Sequence, residues 1–111
     1  MIEKDLYTAL SGITPRVYPL MLPEDATFPA ITYQVVYDGA NQPFNNSQVR
    51  SRDVRFQVDV FASSYSEAKA LKEAVVTEVA RLQGGSISAQ DLYEEQLQLY
   101  RQLIDFTIKR S

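Results

Sequence analysis

The sequence predicts an α+β domain, a mostly antiparallel sheet of about four or five strands with two helices packed on one face. Two hydrophobic periods carry that expectation. In residues 54–62, VRFQVDVFA, the apolar Val54, Phe56, Val58 and Val60 alternate with Arg55, Gln57 and Asp59, the period of a half-buried strand. Beyond Ser64 the spacing changes to Ala68, Leu71, Val75, Val79 and Leu82, the period of a helix with one buried stripe. Strand and helix must share a core. A chain of 111 residues fits one domain, 1–111, and at this length folding buries roughly two-thirds of the surface an unfolded chain exposes.

The elements follow in order. Residues 2–11, IEKDLYTALS, place Ile2, Leu6, Ala9 and Leu10 on one helical face, with Glu3 and Asp5 near the positive end of the helix dipole. Gly12 is expected to stop this helix. Pro15, Pro19, Pro23 and Pro29 then forbid a long helix, which leaves a short strand around Val17 and a loop. Residues 30–38 alternate again through Ile31, Tyr33, Val35 and Tyr37. The amide-rich segment 39–50, GANQPFNNSQVR, has Phe44 as its one large apolar residue and reads as a flexible hairpin tip before a strand from Arg52 to Ala62. Ser64 with Glu67 forms a capping box for the long helix, and Gly84 and Gly85 are expected to end it in the left-handed conformation. The remainder predicts two strands around a turn holding Asp91, Glu94 and Glu95. In the last strand Ile104, Phe106 and Ile108 share one parity, and Leu97, Leu99 and Leu103 the other. Either a bulge shifts the register there or the second face is covered.

Composition removes most catalytic classes. The chain has no Cys and no His, hence no disulfide, no thiolate metal site, no imidazole ligand or base, and no usual activator of a serine nucleophile. The net charge of -3 does not suit a nucleic-acid backbone. Arg50, Arg52 and Arg55 are interleaved with Asp53 and Asp59, as on a solvated strand face. No apolar run approaches the roughly 20 residues of a spanning helix, and MIEKDLY lacks the pattern of a secretory signal, so the expected location is a cytoplasm. Phosphate-binding glycine motifs and the G-x-S-x-G elbow are missing, and RFQVDVFA lacks the basic-Gly-aromatic spacing of RNA-recognition strands. The best carboxylates for acid–base work, Asp91, Glu94 and Glu95, fall in an expected turn where water reaches them. No catalytic, cofactor-binding or metal-ligating residue is assigned.

What remains is a set of apolar residues without a place in the core. They are Phe44, Phe61, Tyr65 and the Leu97, Leu99, Leu103 parity, and as a group they suggest surfaces for other subunits, unless a bulge and loop folding bury them internally. Three stretches, IEKDLYTALSGITPRVYPLMLPEDATFPAITYQVV, VRFQVDVFASSYSEAKALKEAV and YRQLIDFTI, in this order, resemble the small tail completion, or tail terminator, proteins of long-tailed bacteriophages and prophages. The chain departs from that pattern before Tyr100, where EEQLQ stands in place of a turn richer in Asp and Gly.

The resemblance implies a non-enzymatic virion protein that forms a homo-oligomeric ring, typically a hexamer, at the head-proximal end of the tail tube. Such a ring ends tube polymerisation and gives the filled head a docking surface. Its implied partners are the tail tube protein and head-tail connector proteins, met in the bacterial host cytoplasm during assembly. A passing contact with DNA in the ring lumen is left open. The alternatives are a head-tail connector or tube component, or a small α+β enzyme or ligand-binding domain. A closed ring needs two different patches per subunit. The leucine-bearing faces would supply one, and the Phe44 loop or the Phe61 and Tyr65 corner the other. Phe44 with Asn45, Asn46 and Arg50 is expected to form an arm reaching a neighbour or the tube. Replacing Phe44→Ser should leave the monomer folded and abolish ring or tail assembly, read by circular dichroism and electron microscopy; unchanged assembly would reject the arm.

Overall fold

The computed structural model describes residues 2–41 and 51–110. The chain runs α1 (Ile2–Ser11), β1 (Val17–Pro19), β2 (Ala30–Asn41), β3 (Ser51–Ala62), α2 (Tyr65–Arg81), β4 (Gly84–Glu94) and β5 (Leu99–Arg110). The strands form one five-stranded sheet in the order β1-β2-β3-β5-β4. Only β1 and β2 pair parallel; every other neighbour is antiparallel, so the α+β architecture read from the sequence holds.

The core lies where β3 meets β5. The register sets Val54 against Ile108, Phe56 against Phe106 and Val58 against Ile104, and all six side chains are buried. The Phe56 and Phe106 rings stack with centroids 5.7 Å apart. Leu6 and Leu10 of α1 and Val75 and Val79 of α2 join the same cluster, so both helices cover this face. Because β5 pairs antiparallel with both β3 and β4, those two strands run the same way with β5 between them. The connection from β3 to β4 must therefore cross back over the sheet, and α2 is that crossover.

The Ser64 cap forms as expected: its hydroxyl accepts from the Glu67 amide at 3.2 Å. The other end of α2 differs. The left-handed residue is Gln83, with φ 64°, and no described glycine has a positive φ. Gly84 is needed for a different reason. A Cβ there would collide with Val79 Cγ1 and lie 3.1 Å from the Val79 carbonyl oxygen, because β4 leaves the helix in contact with its last buried turn.

Three further expectations change. The second strand continues to Asn41, which pairs with Ser51, so the connection between β2 and β3 narrows to 42–50. A register shift between Val35 and Tyr37 breaks the alternation begun at Ile31 and gives Tyr37 the partner Arg55 instead of a core residue. Asp91 and Glu94 lie on β4, opposite Gln102 and Leu99, and the turn occupies 95–98. The β3–β5 ladder is unbroken from Tyr100 to Arg110, and the irregularity next to β5 falls in β4, between Gly85 and Ser88. The two apolar parities of β5 are thus two real faces.

Gly84→Ala should lower the unfolding free energy by about 1–3 kcal/mol through overpacking against Val79. Gly85→Ala, where an added Cβ meets nothing within 4 Å, should be neutral or raise it by up to about 1 kcal/mol. Urea titrations of the pair check this contrast.

Candidate assembly surface

Strand alternation carries the odd-numbered residues of β3 and β5 to the face opposite the helices. On that face Phe61 pairs with Arg101, and Asp59 with Leu103. Arg101 donates from Nη2 to Asp59 and from Nη1 to Glu94, each at 2.6 Å, and its guanidinium lies 5.5 Å from the Phe61 ring centroid. Burial alone would pull the Arg101 pKa down. The Glu94 hydrogen bond and the Asp59 charge outweigh that and hold it above its ordinary value. Asp59 is only 6% exposed, so it depends on this partner. Further along, Arg55 forks onto both oxygens of Asp105 at 2.8 and 2.9 Å.

The residues singled out from the sequence separate here. Phe61 and Leu99 are buried within the single chain, at 7% and 4% exposure, and Leu103 is half-buried. Leu97, in the turn, and Tyr65, at the start of α2, stand exposed at 56% and 46%. Phe44, Asn45, Asn46 and Arg50 lie outside the described residues.

Tyr65 has a structural task as well. Its ring packs edge-on to Tyr100 at 5.9 Å, and Tyr100 meets Tyr93 at 5.0 Å. Asp91 ties this group together, accepting from Gln102 at 2.7 Å, the Tyr65 hydroxyl at 2.9 Å and Lys69 at 3.0 Å. Those bonds, Gln102 foremost, then Lys69 and Tyr65, hold the Asp91 carboxyl down at about 2. Such a group stays ionised near neutral pH and is suited to fastening α2 to the β4–β5 hairpin, not to moving protons.

A second apolar area sits at the opposite edge of the sheet. Leu20 and Met21 are 70% and 75% exposed, beside Val35 and Val36 at 38% and 47%. Glu3, Pro19, Leu20, Tyr33, Gln34 and Val35 line a cavity of about 270 Å³ there. Leu20 adopts φ 69° while its amide donates to the Tyr33 carbonyl at 2.9 Å, a left-handed leucine that costs roughly 1–2 kcal/mol. Sequence reasoning passed over this area as a proline-rich loop. The unbroken apolar run Leu20, Met21, Leu22 between two prolines was the available signal. A second cavity, about 320 Å³, is lined by Asp53, Gln83, Gly85, Ser86 and Thr107. Among the described residues no His, Cys, Asp or Glu group has the arrangement of a metal site, and no helix is long and apolar enough to cross a membrane.

Comparison with known proteins gives a consistent picture. A family model described as tail completion protein gp17 matches residues 4–109. A chain in a solved structure described as the virion of native gene transfer agent (GTA) particle has the same fold, with a TM-score of 0.64 at 14% identity over 98% of this chain and 90% of that one. No curated protein sequence matches.

The Asp91 latch generates a pH prediction. Its folded-state pKa, about 2, lies below the ordinary 3.8. Its contribution is therefore fully present above the unfolded value and lost as pH falls through the folded one. Asp91→Asn should melt below the parent at about pH 6, and the gap should close between about pH 4 and pH 2. Thermal melts across that range test it; a gap independent of pH would remove the ionised latch.

Proposed function

Because the chain belongs to the tail completion protein gp17 family, a family of phage tail structural proteins, we propose that it forms a closed ring, a hexamer, at the head-proximal end of a phage tail tube. The ring stops tube growth and offers the filled head a docking surface. The family match over 4–109 carries this reading. Geometry supports it. Head-to-tail closure needs two unlike patches on different sides of one subunit. The Leu20, Met21, Val35 and Val36 area lies at the β1–β2 edge, and exposed Tyr93 and Leu97 lie at the β4–β5 hairpin across the sheet.

In this reading Tyr65 and Leu97 face a neighbouring subunit, and Phe61, Leu99 and Leu103 form the firm face behind them. The 42–50 connection, with Phe44, Asn45, Asn46 and Arg50, reaches a neighbour or the tube. Assembly takes place in the bacterial cytoplasm with tail tube and head-tail connector proteins as partners. The work is contact and shape, without catalysis. Among the described residues, the carboxylates whose pKa moves, Glu73 and Asp91, both move down, which supports ionised structural roles for these two over a poised acid.

Native mass spectrometry over a concentration series, with and without tail tube protein, tests the ring. One closed species of fixed subunit number is expected, seen as a cap on tubes by electron microscopy. Open-ended polymer would indicate a tube subunit, and a monomer under every condition would overturn the reading.

A further inference from the structure

We propose that subunits of this ring join by main-chain pairing, the free edge of β4 in one copy adding to the uncovered half of β2 in the next. The inference rests on the ring reading and supplies its interface. The strand order gives the sheet two edges of different kinds.

At one end, β4 bonds only to β5 among the described residues, and all its residues are exposed or half-exposed. Proteins usually guard such an edge with proline, lysine or very short length. The β4 sequence GGSISAQDLYE has neither residue, and its regular ladder runs from Ser88 to Glu94. At the other end, β1 covers only Ile31 to Tyr33. Among the described residues, β2 is paired on its β3 side alone from Gln34 to Asn41. Each edge offers a row of unpaired amides and carbonyls of comparable length.

Direction agrees too. β2 and β5 run one way, and β3 and β4 the other. A second copy placed beside the first in the same orientation therefore presents β2 antiparallel to β4, the more stable arrangement. Bringing the regular part of β4 against the open part of β2 slides the copies along the strands by several residues, as closure of a continuous sheet requires. The joint would also cover Val35, Val36 and Tyr93, which are exposed in one chain. A second copy fits both edges at once, and its contact is head-to-tail.

The chain contains no cysteine, so introduced thiols report only on designed positions. Gln34 pairs with Gln57, and Ser88, Gln90 and Leu92 pair with Asp105, Leu103 and Arg101, so all four belong to the face away from the helices. Within one chain β2 and β4 are three strand spacings apart, about 14 Å, beyond the roughly 7 Å that a disulfide spans. Any disulfide between them joins two copies. Gln34→Cys is combined in turn with Ser88→Cys, Gln90→Cys and Leu92→Cys, and each is oxidised under conditions where native mass shows the ring. At least one double variant should convert more than half of the protein to covalent multimers up to the ring number, while the single variants stay uncrosslinked. A ring with no such multimers overturns the edge pairing and leaves the ring reading standing. Efficient crosslinking of a β4 single variant to itself would replace it with two-fold pairing. Absence of a ring even with tail tube protein overturns both.

Discussion

The pairing of β3 with β5 is the constraint on which the rest of the molecule depends. Phe56 stacked on Phe106, flanked by Val54 with Ile108 and Val58 with Ile104, makes a strip of buried side chains on one face of the two central strands. The apolar stripes of α1 and α2 have nowhere else to lose their contact with water, and the hydrophobic term is the largest favourable contribution in folding. With β5 inserted between β3 and β4, α2 must span the sheet. The close departure of the chain at Gly84 follows from that crossing.

The same alternation that fills the core loads the opposite face with charge. Asp59, Arg101 and Glu94 form a partly buried network over Phe61. Ion pairs of this kind add little net stability, since desolvation consumes most of the Coulomb gain, but breaking one strands a buried charge. Their effect here is to fix the orientation of the β4–β5 hairpin against β3. Pairs such as Lys72 with Glu73 and Arg81 with Glu78 each have one partner well out in solvent, where water screens the attraction and the pair adds little. The Asp91 cluster acts from the helix side on the same hairpin. The hairpin is thus held from both faces.

Two unlike edges suit the head-to-tail ring proposed for this protein. Membership in the tail completion family sets the biological context. The sheet adds a physical one: among the described residues, both ends of the strand order carry exposed apolar side chains and backbone without a strand partner, and the short β1 pairs only with Ile31 to Tyr33 of β2. Closed oligomers built on heterologous contacts need that asymmetry within each subunit.

Much of the fold was legible in the residues themselves. The alternation at 54–60, the helical spacing from Ala68 to Leu82 and the Ser64 cap all arise between neighbours two to four positions apart, where backbone geometry alone decides the outcome. Parity correctly divided Leu99 and Leu103 from Ile104 and Phe106. Parity says which face a side chain takes, not whether that face is covered. For that reason Phe61 and Leu99 turned out buried while Tyr65 and Leu97 stayed exposed. The reason for Gly84, the place of Asp91 on a strand and the exposed Leu20 and Met21 depend on segments far apart in sequence meeting in space. The sequence by itself determined the elements and their buried sides, because those are local periodicities. Only the tertiary structure decided which strands lie at the edges, because strand order is set by long-range pairing that no local pattern records.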